Sequence, residues 1–292
     1  MPSTRDIRRR IKSVKNTSQI TKAMQMVAAS KMRRAQQSAL AARPYASMLN
    51  EVLGNVTAYA GDFTHPLMEV REVRKRCVIV VSTDKGLCGA LNSNLLREAA
   101  KFERESTIYV TAGRKAAQFM VRTRRQLAAE FNYKDAPLFG EARAISKFAR
   151  DLFLKGEVDR VDILFTNFIS TLSQKPMLRT FLPIGEIKPV SAGIPEPAPP
   201  QPLLHGATEF LFEPAADQVL GALLPHSLNF QVYHILLEAK ASEQSARMVA
   251  MKNATDNANQ LIKDLTLDYN KLRQANITKE LLEIASAAMA MG

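Results

Sequence analysis

Glycine and proline are distributed so unevenly that they divide this chain into three parts. Neither residue occurs between Ser3 and Arg43, and between Ala222 and Met291 only Pro225 occurs. Because both residues interrupt helices, their absence predicts one long helix at each end of the chain. The other glycines and prolines crowd the middle, where turns are expected between shorter elements. We therefore predict an α/β chain with an N-terminal helix within residues 1–60, a central α/β domain at 70–215 and a C-terminal helix at 220–292.

The C-terminal helix is predicted to begin near His226, with Ser227 as its N-cap, because Pro225 comes just before them. A helix from there to the end of the chain has about 60 residues and a length of roughly 90 Å. A helix of that length needs a partner along it.

Apolar residues on both terminal segments recur at alternating spacings of three and four, as the seam of a coiled coil requires. Packing on a large globular core is the alternative, and it would show a wider face of large apolar residues. The apolar row of the N-terminal segment consists of Ile7, Ile11, Val14, Ile20, Met24, Val27, Ala28, Met32 and Ala35. That of the C-terminal segment consists of Leu228, Val232, Ile235, Leu236, Ala239, Ala246, Val249, Ala250, Ala254, Ala258, Leu261, Leu265, Leu272, Ala275 and Leu282.

A narrow seam would leave most of the C-terminal helix facing outward with small polar side chains. Such a surface suits contact with other chains that must not bind tightly. The residues assigned to this outward surface are Ser242, Gln244, Ser245, Asn253, Thr255, Asn257 and Asn259.

The middle of the chain alternates predicted strands and helices. Three strong strand candidates are "RCVIVVS" (76–82), "TIYVTA" (107–112) and "VDILFTNFIS" (161–170), and two weaker ones lie at 178–184 and 208–213. Helical stretches lie between them near 90–104, 113–124 and 141–155. This order predicts a mainly parallel sheet with crossover helices, as in Rossmann-like domains. Residues 183–202 contain seven prolines and are expected to form an extended loop.

The segment "STDKGLCGALN" (82–92) follows the first strand and opens a helix, which is a common place for phosphate binding. It has only Gly86 and Gly89 and lacks the G-x-G-x-x-G pattern, so a structural turn is the favoured interpretation. Asp84 beside Lys85 fits a turn-stabilising aspartate better than an acid–base pair. The four histidines are scattered, and Cys77 and Cys88 are expected to be thiols in a reducing compartment. We predict no catalytic residue, no cofactor and no metal site.

The net charge of +12 predicts an acidic partner: nucleic acid, anionic lipid or an acidic protein surface. Residues 1–43 carry eleven basic residues against the single acid Asp6. A nucleic-acid-binding protein is therefore the alternative function, although this basic helix has no aromatic residue before Tyr45 for stacking on bases. A small-molecule enzyme built on residues 70–215 is a second alternative. No run of 18 apolar residues and no signal peptide is found.

Three motifs resemble the gamma subunit of the F-type, proton-translocating ATP synthase, and the resemblance covers nearly the whole chain. They are "RIKSVKNTSQITKAMQMVAASKMRRAQ" near the start, "VVSTDKGLCGALN" in the middle, and "EQSARMVAMKNATDNA" followed by "LDYNKLRQANITKELLEI" near the end. The resemblance implies that the terminal helices form an antiparallel coiled coil packed on the α/β domain. It also implies a rotary central-stalk role, in which an asymmetric shaft couples proton flow to ATP synthesis or hydrolysis.

The partners implied by the resemblance are the alpha and beta subunits, the epsilon subunit and the ring of c subunits, with no nucleic acid. The implied location is peripheral, on the cytoplasmic face of the bacterial inner membrane. Residues carried over from the family as coupling or partner-binding positions lie on the two terminal helices. They are Met24, Arg33 and Arg34 on the first helix, and Arg247, Arg273, Gln274, Thr278 and Glu280 on the last.

Overall fold

The computed structural model describes residues 3–59, 65–184 and 215–291. The chain divides into two compact units, one formed by residues 1–28 and 248–292 and the other by residues 29–247. The two long terminal helices, α1 (Thr4–Tyr59) and α5 (Ala216–Met291), contribute to both units. The predicted strand at 208–213 and most of the predicted loop at 183–202 lie outside the described residues. No helix among the described residues is long and apolar enough to cross a membrane.

The unit of residues 29–247 is built around one five-stranded sheet. Its strands are β1 (Arg76–Val81), β2 (Thr107–Ala112), β3 (Leu127–Phe131), β4 (Arg160–Phe168) and β5 (Gln174–Leu182). Its shorter helices are α2 (Leu91–Ala100), α3 (Arg114–Arg122) and α4 (Phe139–Leu154), and a single helical turn lies at Pro66–Met68.

The strand order is β3-β2-β1-β4-β5. The first four strands of that order are mutually parallel, and β5 runs antiparallel to β4. This confirms the predicted mainly parallel sheet. Sequence analysis missed β3, a five-residue strand with alternating exposure that carries no β-branched residue. Pro176 fits in β5 because an edge strand leaves one row of backbone groups unpaired.

Both faces of the sheet are covered, which explains the continuous apolar run of β1. Cys77, Ile79 and Val81 of β1 face one core, which α4 and α5 complete. Val78 and Val80 face a second core, which α2 and α3 complete. The arrangement is therefore three-layered, with α5 packed on the sheet through its residues 228–239.

The predicted start of the C-terminal helix was wrong, because α5 begins at Ala216 and contains Pro225. Ser227 is not an N-cap: its hydroxyl donates to the Leu224 carbonyl at 2.8 Å. The residues of α5 before Pro225 remain helical because Leu220 and Leu224 are each 1% exposed in an apolar cluster with α1. Tertiary packing there outweighs the hydrogen bond that proline cannot make.

The other unit is an antiparallel pair formed by residues 4–28 of α1 and the end of α5. Three cross-helix contacts define its direction: Arg8 with Tyr269, Ser18 with Asn259, and Thr21 with Thr255. As the number rises on one helix it falls on the other. The prediction of an antiparallel pairing of the terminal helices is thus confirmed.

The seam of this pair repeats at alternating spacings of four and three. Its buried or half-buried positions are Ile7, Ile11, Val14, Ser18, Thr21, Gln25 and Ala28 on α1, and Met251, Thr255, Ala258, Ile262, Leu265, Tyr269 and Leu272 on α5. Ile20, Val27, Leu261 and Leu282 are 60%, 55%, 46% and 63% exposed, and Ala275 is exposed as well, so their assignment to the seam was wrong. The predicted row was also wrong at its start, because the members between 228 and 239 pack on the core of the sheet, as the alternative of a globular core expected. Polar side chains take several of the seam positions, Ser18 and Thr21 among them, and a search for apolar residues alone passes over these positions.

The outward polar surface predicted for α5 is only partly present. Ser242, Gln244, Ser245 and Thr255 are buried, whereas Asn253, Asn257 and Asn259 are exposed. The buried members have hydrogen-bond partners that periodicity cannot show, such as the Thr166 carbonyl for the Ser242 hydroxyl.

Candidate functional site

The sheet has a topological switch point at β1, which pairs with β2 on one side and with β4 on the other. Open α/β sheets bind ligands in the crevice at the carboxyl ends of such strands. Here α5 fills that place with its own side chains. Ser242 Oγ donates to the Thr166 carbonyl at 3.0 Å, and Ala241 packs against Phe168 near the end of β4. The position where related architectures hold a nucleotide is therefore taken by the protein's own helix.

The segment after β1 forms a structural turn, as predicted. Thr83 Oγ1 donates to the Lys85 carbonyl at 2.7 Å and accepts from Asn92 Nδ2 at 2.8 Å. Asp84 Oδ1 accepts from the Arg114 amide at 3.1 Å, at the start of α3. Burial raises the pKa of the Cys88 thiol, which favours its neutral form. These contacts give every polar group named here a structural role.

Leu87 stands out at the tip of this turn, which we define as loop 84–90. Its φ angle is 62° and its side chain is 63% exposed. A bulky residue in the left-handed region is strained, and it persists where its surroundings hold it. The loop therefore presents an aliphatic side chain to solvent in a fixed backbone conformation.

Five side chains of alternating charge run from α1 to this loop, and we call them the ionic chain. They are Lys31, Asp135, Lys240, Glu243 and Arg247. Asp135 accepts from Lys31 Nζ through one oxygen and lies 3.0 Å from Lys240 Nζ through the other. Lys240 Nζ also lies 3.0 Å from Glu243 Oε2, and Arg247 lies 2.7 Å from Glu243 Oε1. The guanidinium of Arg247 then donates to the carbonyls of Lys85 and Gly86, at 3.4 and 3.3 Å.

The middle of the ionic chain is buried and its α1 end is partly exposed. The side chains of Lys240 and Glu243 are each 4% exposed, whereas those of Lys31 and Asp135 are 42% and 57% exposed. The hydrogen bond from Lys31 is the main reason that the pKa of Asp135 is lowered to about 2, with Lys240 adding to the effect. Asp135 is consequently ionised at neutral pH and offers negative charge to both lysines.

Tyr133 forms one wall of this site. Lys240 Nζ lies over its ring, 5.2 Å from the ring centroid, and its hydroxyl donates to the Ser82 carbonyl at 2.9 Å. Burial raises the pKa of this phenol well above its ordinary value, so the hydroxyl keeps its proton and remains a donor.

Arg247 is the only one of the eight predicted coupling residues in the ionic chain. Arg33 and Arg34 are exposed on α1, and Met24 is half-buried there. On α5, Arg273, Gln274, Thr278 and Glu280 are all exposed, and Thr278 Oγ1 donates to the Gln274 carbonyl at 3.0 Å. Their proposed contacts with other chains remain predictions.

Sequence reasoning missed the other four members of the ionic chain: Lys31, Asp135, Lys240 and Glu243. The spacing of Lys240, Glu243 and Arg247 places these three charges on one face of a helix, and this signal was available in the sequence. No signal links them to Asp135, which lies more than 100 residues before them and approaches only when the sheet forms.

Comparisons with known proteins agree along the full length of the chain. The family model described as "ATP synthase" matches residues 3–291. The "ATP synthase gamma chain" of Methylacidiphilum infernorum is 46% identical, with 100% of both chains covered. That of Opitutus terrae is 48% identical, with 99% of both chains covered.

Solved structures show the same fold at lower identity. A chain of the Euglena gracilis mitochondrial ATP synthase, described as OSCP/F1/c-ring in rotational state 3, has a TM-score of 0.69 and 21% identity, covering 99% of this chain and 94% of that chain. A chain of the Tetrahymena thermophila mitochondrial ATP synthase, described as central stalk/cring, has a TM-score of 0.61 and 22% identity, covering 80% of this chain and 99% of that chain. The helix pair and the Rossmann-like sheet, with α5 in its crevice, agree with this similarity in fold. Together with the sequence match over the full length, they show that the chain belongs to the ATP synthase gamma-chain family.

Proposed function

We propose that this chain is the central-stalk rotor subunit of an ATP synthase. In this role it couples proton flow through a membrane sector to ATP synthesis or hydrolysis in a head of three alpha and three beta subunits. The full-length similarity to gamma chains, at 46% and 48% identity, carries the proposal. Catalysis belongs to the beta subunits, and this chain supplies the asymmetric element that they contact.

The helix pair has the properties that such an element needs. Three equivalent catalytic sites differ only when something asymmetric contacts each of them differently. Two helices locked along a seam resist twisting better than one. The seam ends at Leu272, and described residues 273–287 and 289 of α5 are exposed. This end of α5 is free to contact other subunits.

The finer assignments follow from the same proposal. The beta subunits contact α5 through Arg273, Gln274, Thr278 and Glu280, and α1 through its basic residues, where charge complementarity guides assembly without tight binding. The alpha subunits complete the head, and the epsilon subunit and the c-ring contact the α/β unit. The complex holds the chain at the cytoplasmic face of a bacterial inner membrane as a peripheral subunit.

Nucleic-acid binding is not favoured as the alternative. The basic α1 helix uses its buried face to pair with α5, and the one aromatic side chain of α1 that the structure describes, Tyr45, contacts His226 and Phe230. A nucleotide-binding enzyme is disfavoured by the α5 side chains that fill the switch-point crevice.

Co-expression with the alpha and beta subunits tests the proposal. We expect ATP hydrolysis to depend on the presence of this chain. Truncation after residue 280 should weaken that activity without abolishing it, because the predicted coupling residues of the α5 end remain. Full activity of the alpha and beta subunits without this chain would overturn the proposed role.

A further inference from the structure

We propose that Lys240 and Asp135 are positioning residues that hold Arg247, and through it loop 84–90, in a single arrangement. The inference concerns the structure of the chain itself, and its consequence for coupling rests on the proposed rotor function. Neither residue belongs to the family motifs that identified the coupling positions.

The burial of charge is the first reason. Lys240 and Glu243 have side chains only 4% exposed, and desolvation of two charges offsets much of their attraction. Apolar residues of similar volume commonly stabilise such a place as well or better. Packing between apolar groups has little directionality, however. Lys240 and Glu243, in contrast, each lie between two groups of opposite charge. The ionic chain therefore specifies orientation more than it adds stability.

The geometry at Arg247 is the second reason. Its bonds to the Lys85 and Gly86 carbonyls, at 3.4 and 3.3 Å, are long. Its ion pair with Glu243 Oε1 is short, at 2.7 Å, and the other carboxylate oxygen, Glu243 Oε2, lies 3.0 Å from Lys240 Nζ in a second ion pair that has no hydrogen-bond geometry. The ion pair with Glu243, which Lys240 also contacts, therefore determines the orientation of the Arg247 guanidinium. The carbonyls of Lys85 and Gly86 accept from the guanidinium in that orientation.

Asp135 completes the arrangement from the other end. Lys240 Nζ lies 3.0 Å from a carboxylate oxygen of Asp135 and 3.0 Å from one of Glu243, so its positive charge is shared between the two carboxylates. Asp135 also binds Lys31 of α1, which connects the first helix to the same chain of charges. One carboxylate thus links both long helices to the loop after β1.

The arrangement of loop 84–90 should affect how force is transmitted within the chain. Arg247 is a predicted coupling residue, and loop 84–90 presents the exposed Leu87 beside it. A loop held in one arrangement transmits an applied force to the helices, whereas a loop that changes its conformation under that force does not. We therefore expect Lys240 and Asp135 to affect coupling without contacting any other subunit.

A nitroxide label on Leu87→Cys in the full chain tests the positioning directly. Position 87 is exposed, and Cys77 and Cys88 are buried, so the chain without the new cysteine gives the labelling background. We expect an immobilised spectrum in the parent chain and loss of that component in Lys240→Met. Asp135→Asn should show the same loss to a smaller degree. Because Asp135 is partly exposed, this variant also serves if Lys240→Met folds poorly.

Lys101→Met is the matched control. Lys101 pairs with Glu98 at 2.8 Å with the same three-residue spacing as Lys240 and Glu243, but the pair is exposed at the end of α2. This variant should leave the spectrum unchanged, and Lys240→Arg should restore most of the immobilised component. An immobilised spectrum in both Lys240→Met and Asp135→Asn would overturn the proposal.

Reconstituted ATP synthase tests the consequence. Lys240→Met should lower the number of protons pumped per ATP hydrolysed, while the hydrolysis rate stays near that of the parent. A mobile loop with unchanged pumping would refute the link to coupling and leave the positioning intact. If the parent chain itself failed to support hydrolysis, the rotor function would be refuted instead, and the spectra would still decide the positioning.

Discussion

At the scale of single residues, Gly113 shows how one missing side chain can determine a local structure. Its φ angle is +105°, and a Cβ placed there would lie 2.3 Å from the Ser82 carbonyl oxygen. The Ser82 hydroxyl occupies the same space, donating to the Gly113 carbonyl at 3.2 Å and accepting from the Ala116 amide at 2.9 Å. The turn after β2 and the segment after β1 therefore approach each other so closely that only glycine fits at position 113.

Gly113→Ala should destabilise the chain by roughly 2–5 kcal/mol, since it combines overpacking against backbone with a left-handed backbone conformation. Gly140→Ala is its control, because nothing lies within 4 Å of a Cβ there and the residue is in the first turn of α4. That substitution should be neutral or stabilising by up to about 1 kcal/mol. Urea denaturation followed by circular dichroism measures both, and similar midpoints for the two variants would contradict this account.

At the scale of elements, the seam of the helix pair contains a polar layer in place of a continuous apolar row. Thr21 Oγ1 and Thr255 Oγ1 lie 2.7 Å apart, and each is also within bonding distance of a carbonyl of its own helix. Each hydroxyl has one proton, so one threonine donates across the seam while the other donates to its own helix. Small polar residues at seam positions favour one register at some cost in stability.

Thr21→Val and Thr255→Val should each cost less than about 1 kcal/mol, because the remaining hydroxyl still donates to its own helix. The double variant should match or exceed the parent in stability, since no unpaired polar group remains and the seam becomes apolar. Thermal unfolding of the four chains provides the double-mutant cycle. A double variant less stable than the parent would show instead that the polar layer contributes net stability.

At the scale of the whole molecule, the C-terminal half of α5 consists of two segments, one paired with α1 and one exposed. From Met251 to Leu272 it forms the seam with α1, and beyond that point its described residues are exposed. Five large apolar side chains there are between 48% and 85% exposed: Ile277, Leu281, Leu282, Ile284 and Met289. Large apolar groups exposed in one segment are typical of interaction surfaces, and this agrees with the proposed contact of the α5 end with other subunits.

Truncation at two positions should distinguish the contributions of these two segments to stability. A chain ending at Leu272 should unfold at the same temperature as the parent, because every lost residue whose side chain the structure describes is exposed. A chain ending at Leu261 also loses Ile262, Leu265, Tyr269 and Leu272 from the seam, so helix content should fall by more than the deleted residues alone, as the start of α1 loses its partner. Equal melting temperatures for both truncations would contradict the observed seam.

Features with local physical causes were predictable from sequence. Both terminal helices were expected because each terminal segment by itself lacks the glycines and prolines that interrupt helices. The β-branched run at β1 was expected for the same reason, because a strand covered on both faces needs apolar residues throughout. The structural turn at 82–92 was also expected, since its glycines did not match a phosphate-binding pattern.

Tertiary structure decided what depends on residues far apart in the chain. Helix α5 continues through Pro225 because α1 residues cover Leu220 and Leu224, and periodicity gives no sign of that contact. Ser242 and Ser245 appear solvent-facing in the sequence, yet they are buried where carbonyls of β4 and of the following turn accept their hydrogen bonds. The ionic chain is the strongest case: a helical face could indicate Lys240, Glu243 and Arg247, but only the folded sheet brings Asp135 to them, because attraction between charges depends on distance in space and not along the chain.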